Sequence, residues 1–224
     1  LHRKIKTTTF ITLFYSGGNT IMGLFKNLLS KKSENKNGSE ISVSTGNAKL
    51  ANWGIRHLGN LYPSEIIELG CGAGRNVPEL LKTYPSSRVT AVDQSEVSVE
   101  KAKEYNKRAI ESGRYTARWG DVSKLDEGSE QYDLATAFET ISLWPTLKSC
   151  FAEVARVLKK GGTFMIVNES DGIEQPGTKL EKLIDGVKQH TAEEIETALM
   201  SAGFSSVRTA HHDSKPWITV IAKK

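Results

Sequence analysis

The sequence predicts an α/β fold: a doubly wound, mostly parallel sheet covered by helices on both faces. Three observations carry this. From about residue 47, short apolar runs alternate with longer runs whose apolar residues recur at helical spacing. The first strand-like run leads directly into a glycine-rich turn. The last two strand-like runs are separated by only about six residues. Alternation of the two periods means a parallel sheet with helical crossovers. A connection of about six residues is too short for a crossover, so the last two strands form an antiparallel hairpin at one end of the sheet.

The elements follow in order. Ala48, Leu50, Ala51, Trp53, Ile55 and Leu58 predict a helix that ends near Gly59-Asn60. Strands are expected at about 65–69, 88–93, 115–119, 132–138, 162–168, 206–210 and 217–222. Helices are expected at 76–84, 95–112, 147–159 and 191–202. Asp171 to Lys188, with Gly172, Pro176 and Gly177, reads as an insertion after the fifth strand. It is either a lid over the strand ends or an inert excursion. No internal repeat is present.

Upstream, the composition changes. Residues 1–46 read as a basic extension and linker, and 47–224 as the folded domain. Residues 1–40 hold seven Lys or Arg against two acids, while the rest of the chain is nearly neutral, so the net charge of +4 belongs to the extension. A neutral body offers no electrostatic footprint for nucleic acid. Arg3 to Lys6 followed by Thr7 to Tyr15 has the outline of a signal peptide, but threonines break its apolar part and no cleavage pattern follows. Met22 is read as the native start and 1–21 as an extension. Leu24, Phe25, Leu28 and Leu29 fall at helical spacing among lysines, so 22–32 is either a weak membrane-surface contact or a frayed helix. No stretch approaches the roughly 20 apolar residues of a membrane span. Cys71 and Cys150 have neither zinc nor CxxC spacing and are expected to be reduced thiols of a cytoplasmic protein, with no metal site.

The informative segment is Glu65-Ile66-Ile67-Glu68-Leu69-Gly70-Cys71-Gly72-Ala73-Gly74-Arg75-Asn76: a buried strand, a glycine loop and a helix start. Glycines let the chain turn tightly and let backbone approach a ligand. A dinucleotide fingerprint, G-x-G-x-x-G, fails in both registers, at Arg75 and at Val77. What stands is E-x-G-x-G-x-G. A carboxylate closing the strand suits a cationic amino acid group and would repel a pyrophosphate. Asp93-Gln94 closes the second strand, where an acid accepts ribose hydroxyls. Trp119-Gly120-Asp121-Val122 follows the third strand, and Val157-Leu158-Lys159-Lys160-Gly161-Gly162-Thr163 precedes the fifth.

Together these stretches resemble the class I S-adenosylmethionine (SAM)-dependent methyltransferases, in the group that includes quinone-biosynthesis C-methyltransferases. Lys160 departs from the usual proline of the LKPGG turn. The resemblance covers roughly 47–224. It implies a Rossmann-like seven-stranded sheet in the order 3-2-1-4-5-7-6 with strand 7 antiparallel. It implies SAM as methyl donor, S-adenosylhomocysteine as product, and a shell of Glu68, Gly70, Cys71, Gly72, Gly74, Asp93, Gln94, Asp121 and Val122, in which Asp121 meets the adenine amino group. It also implies that Asp133 braces its strand. The absence of Asn-Pro-Pro-aromatic and Pro-Cys segments, and of an appended recognition domain, points to a small-molecule acceptor.

Glu139, after the fourth strand, is the candidate catalytic residue. It either steers or deprotonates an acceptor, or is a helix N-terminal acid before the run starting near Leu147. Cys71 is expected to pack beside the loop and not to act as a nucleophile. Trp53, Tyr62 and Trp144 line a pocket or belong to the core. His190 is expected to pack at a helix entry, and His211-His212 to face solvent. Two other functions fit a glycine loop in this context. One is a SAM-binding or partner-binding module without turnover. The other is an NAD-dependent oxidoreductase, which Arg75 and Val77 disfavour.

Overall fold

The computed structural model describes residues 43–173 and 188–224. The signal-like run, the helix at 24–29, most of the linker and residues 174–187 of the insertion lie outside them. Chain order is α1 (Val43–Arg56), β1 (Glu65–Leu69), α2 (Val77–Thr83), β2 (Arg88–Asp93), α3 (Glu96–Tyr105), α4 (Lys107–Glu111), β3 (Tyr115–Trp119) and β4 (Tyr132–Phe138). A 3₁₀ turn (Ile141–Leu143) follows, then α5 (Leu147–Val157), β5 (Leu158–Asn168), α6 (Ala192–Ser201), β6 (Ser206–His211) and β7 (Ile218–Lys223).

The strands form one seven-stranded sheet in the order β3-β2-β1-β4-β5-β7-β6. β7 runs antiparallel to both neighbours, and the other pairs are parallel. This is the predicted topology. Side chains alternate across a strand, so Ile66 joins one core and Ile67 and Leu69 the other. α1, α2 and α3 cover the first face through Leu50, Leu80 and Val99. α5 and α6 cover the second through Phe151, Val154, Ile195 and Leu199. Both sheet faces are therefore dry, which is why the central strands read as continuous apolar runs. Thr191 and Glu194 close a capping box on α6, and the His190 ring sits at this helix entry with Nδ1 3.5 Å from Glu194 Oε2.

Four details differ from expectation. α1 begins at Val43, taking in four residues read as linker. The helix expected over 95–112 is broken at Asn106. Its buried side-chain amide donates to the Gly74 carbonyl at 2.9 Å and to Ala102 at 3.0 Å. β5 begins at Leu158, because Leu158 pairs with Tyr132 ahead of a register shift. His212 does not face solvent with His211. Its ring packs against Trp53 and Trp217, at centroid distances of 5.6 and 5.0 Å. Of the three aromatic candidates, Tyr62 is exposed, Trp53 joins the His212 cluster, and Trp144 is buried beside Phe164.

Candidate active site

The parallel strands all end on one edge, where the turns after β1, β2, β3 and β4 meet. The glycine loop sits there because three residues adopt left-handed backbone, Gly70 at φ 71°, Gly72 at 52° and Gly74 at 69°. Only glycine takes such angles at little cost. At Gly70 the need is also steric: a Cβ would overlap the Thr140 hydroxyl and lie 2.7 Å from Thr140 Cβ. At Gly72 a Cβ would meet nothing within 4 Å, so this flank of the loop faces open space.

Asp93 holds the loop from the end of β2. Its Oδ2 accepts the Gly72 N–H at 2.8 Å and its Oδ1 accepts the Ser95 N–H at 2.9 Å. Burial pushes its pKa up, and these two N–H groups pull the other way. A cleft opens beside it. Gly70, Asp93, Gln94, Asp121 and Val122 all line this cleft, so the ends of β1, β2 and β3 converge as expected. Asp121 Oδ1 takes the backbone and hydroxyl donors of Ser123, both at 2.8 Å, while Oδ2 makes no hydrogen bond among the described residues. The facing wall is the stretch from Thr140 to Pro145, with Leu143 half exposed and Trp144 donating to Thr140 Oγ1 at 3.3 Å. Trp144 thus serves core and cleft together. The wall was otherwise missed in the sequence, where the one signal was an aromatic residue after β4.

Glu68, Cys71, Gly72 and Gly74 do not line the cleft. Cys71 is buried, and burial pushes its thiol pKa up, as suits a packing residue. Asp133 braces β1 as expected. Oδ2 accepts the Ser64 and Glu65 N–H groups at 3.0 and 2.9 Å, and Oδ1 accepts Lys159 at 2.7 Å. Partial burial alone would raise its pKa, but these donors outweigh it and lower it.

Glu68 is 1% exposed, and among the described residues neither carboxyl oxygen has a hydrogen-bond partner. Burial raises its pKa to about 8; the nearby Asn76 amide opposes the shift and Asp93 adds to it. The folded protein therefore keeps a proton that the unfolded chain releases near pH 4.5. Stability owed to the neutral form is whole below that pH and is lost as pH rises through about 8. Glu68→Gln keeps the shape and cannot ionise. Without ligand, its melting temperature is expected to fall less than the wild type's across this window, where Asp93 and Glu139 still titrate, and to exceed the wild type's at pH 8 by about 5 °C or more. Parallel pH profiles in thermal melts would refute this.

Glu139 faces a second cleft, adjoining the first. Its backbone N–H donates to Val167 O at 2.9 Å, and its Oε1 accepts the Glu169 N–H. The 3₁₀ turn and the N-cap Thr146 separate it from α5, so the helix-acid reading is wrong. Among the described residues, no group of three or more His, Cys, Asp and Glu is placed to hold a metal. No described helix is long and apolar enough to cross a membrane.

A family model described as a methyltransferase domain matches residues 64–215. Among curated proteins, a sterol 24-C-methyltransferase of Gibberella zeae is 27% identical over 158 residues, covering 66% of this chain and 40% of that protein. The chain spans less than half the length of such relatives. Among solved structures, a SAM-dependent methyltransferase of Aquifex aeolicus has a TM-score of 0.65 at 19% identity, covering 80% of this chain and 92% of that one. A geranyl diphosphate C-methyltransferase of Streptomyces coelicolor, solved with S-adenosyl-L-homocysteine, has a TM-score of 0.64 at 15% identity, covering 79% and 75%.

Proposed function

The chain belongs to the methyltransferase-domain family, in the class I fold built around SAM, and on that premise we propose that it methylates a small-molecule acceptor by in-line displacement. One observation carries the reading: the open cleft between the glycine loop, Asp93 and Asp121, at the carboxyl edge of the parallel strands.

The residues fit SAM. Each Asp93 oxygen spends one lone pair on backbone and keeps another for a ribose hydroxyl. Asp121 Oδ2 is available to the adenine amino group, and Gln94 and Val122 flank it. Gly70 and the open side of Gly72 admit the amino acid portion, with Cys71 and Gly74 completing the loop. Glu68 offers an unpaired carboxyl behind the loop for the cationic end.

When bound, SAM supplies an electrophilic methyl carbon on a sulfonium. The chain's task is to align and to keep water out. Asp93 and the loop fix the donor side, and Leu143 and Trp144 give the cleft an apolar wall. Alignment of this kind accounts for about 7–11 kcal/mol of barrier, so a dedicated base is not required. Glu139 stands on the acceptor side.

Calorimetry with SAM, S-adenosylhomocysteine and NAD tests the donor: the first two are expected to bind and NAD not. Methyl-labelled SAM with a metabolite extract tests transfer, and a labelled small molecule is the expected product. NAD binding, or label appearing only in nucleic acid, would overturn the reading. The domain, expected from residue 47, is proposed to begin with α1 at Val43 and to include the rest of the sequence to 224. Deleting 1–21 is expected to leave melting temperature and SAM affinity unchanged, and a large drop in either would place those residues in the fold.

A further inference from the structure

The second cleft, of about 530 Å³, lies open between the end of β4, the end of β5 and the β6–β7 hairpin. It meets the first at a single peptide unit, since Glu139 lines one and Thr140 the other. A group bound in the second cleft therefore sits beside the donor side. Its described lining is polar: Glu139, Glu169, Ser170, Gln189 and Lys215, with Pro216 and Trp217. Ser170 donates to Gln189 Oε1 at 3.0 Å, so the charged side chains are the groups that most constrain an acceptor.

The charges are specific. Neither carboxylate forms an ion pair among the described residues. Glu139 Oε1 is fixed by the Glu169 N–H, and Oε2 makes no hydrogen bond there. Glu139 also holds a left-handed backbone at φ 58°, unusual for a non-glycine residue and placed where the two clefts meet. Among the described residues the one cation lining the cleft is Lys215, and it pairs with neither carboxylate. Its ammonium lies 3.7 Å from the centroid of the Trp217 ring. An indole face that holds an alkylammonium is a cation site, here filled by the chain's own lysine.

We propose that the second cleft admits the methyl acceptor as an alkylammonium ion, which replaces Lys215 on Trp217 and gives its proton to Glu139. The inference rests on the methyltransferase reading above. The protonated amine transfers H⁺ to the Glu139 carboxylate and keeps its electron pair on nitrogen. That pair forms the N–CH₃ bond as the C–S bond breaks, and sulfur leaves with the bonding pair as S-adenosylhomocysteine. The methylated nitrogen is then cationic, and the proton on Glu139 passes to water. Desolvation against the cleft wall raises the pKa of Glu139, a side chain still reached by solvent, to about 7, the range in which a carboxylate takes up a proton and releases it again.

Binding is measured without SAM, by following the four indole N–H signals in nuclear magnetic resonance spectra. The probes are butylammonium, its neutral counterpart butanol, and butyrate. Butylammonium is expected to shift the Trp217 signal saturably, and the other two to leave it in place. Glu139→Gln is expected to weaken butylammonium about fivefold or more, and Lys215→Ala to tighten it about fivefold by removing the internal competitor. Equal shifts by butanol, a preference for butyrate, or unchanged affinity in Lys215→Ala would each overturn the proposal. Should Glu139→Gln fail to fold, Lys215→Ala on the exposed hairpin decides alone. SAM calorimetry is run in parallel. Binding of SAM without binding of butylammonium refutes the amine acceptor and leaves the donor reading; no binding of SAM refutes the donor reading itself.

Discussion

Gly70→Ala is expected to reduce SAM affinity at least tenfold and to lower the melting temperature by about 5–15 °C. Two costs combine. A left-handed φ of 71° costs an L-residue about 1–2 kcal/mol. The new methyl also runs into Thr140, whose Cβ and Cγ2 would lie 2.7 and 3.0 Å away, and overpacking of this kind costs about 1–3 kcal/mol. In a chain of 224 residues each kcal/mol moves the midpoint by about 2–4 °C. Relief is expected to be partial. Gly70→Ala with Thr140→Ala removes the hydroxyl and Cγ2 contacts but keeps the Cβ at 2.7 Å and the backbone strain, so the double variant recovers only part of the packing share of the loss. The affinity falls because Thr140 belongs to the cleft wall, and pushing it away from the loop widens the cleft. A Gly70→Ala protein as stable as its parent would show the loop conformation to be wrong.

Asp93→Ala is expected to fold and to bind SAM at least tenfold more weakly. Hydrogen bonds to an ionised group contribute about 1.5–3 kcal/mol each. Alanine removes the proposed ribose contacts, and it also leaves the Gly72 and Ser95 N–H groups without their acceptors. The loop then loses its hold from β2 at the point where it faces the ligand. Asp93→Asn keeps one acceptor oxygen and presents an N–H₂ to the other donor, so its affinity is expected between those of wild type and alanine. NAD affinity should be negligible in all three. Calorimetry decides: an alanine variant that binds SAM as tightly as wild type would remove β2 from the ribose side, and the role of Asp121 with it.

The sequence and the structure agree where the signal is local. β1 to β4 start and stop at the predicted residues, because each is an apolar run ended by turn chemistry. The antiparallel end of the sheet followed from the length of one connection. Asp93 follows from strand position, since the ends of parallel strands must lie on one edge, and Asp121 from the family resemblance. What was not legible depends on partners far along the chain. Asn106 breaks a continuous helical pattern for a hydrogen bond to Gly74, 32 residues earlier. The Gly70–Thr140 contact joins turns from different strands, and nothing in either segment announces it. Leu158 to Gly161 reads as a turn, yet extends β5 because Tyr132 is there to pair with it. His212 has the surroundings of an exposed loop residue, and only the return of α1 across the sheet end supplies the Trp53 ring that covers it.

The reversed last strand has a consequence for how such a molecule diversifies. β7 begins beside the end of β5, with Ile218 opposite Asn168, so the hairpin tip from His212 to Trp217 is delivered to the edge where both clefts open. A parallel strand would have started at the far edge and left that wall to other parts of the chain. The two sides of the edge are built to different tolerances. The donor side rests on left-handed glycines with neighbours in contact, where almost any exchange strains the backbone. The tip carries exposed Asp213, Ser214 and Lys215, in a connection free to change length and composition. Selection can thus rewrite the wall proposed for the acceptor one residue at a time while the wall proposed for the donor stays constant.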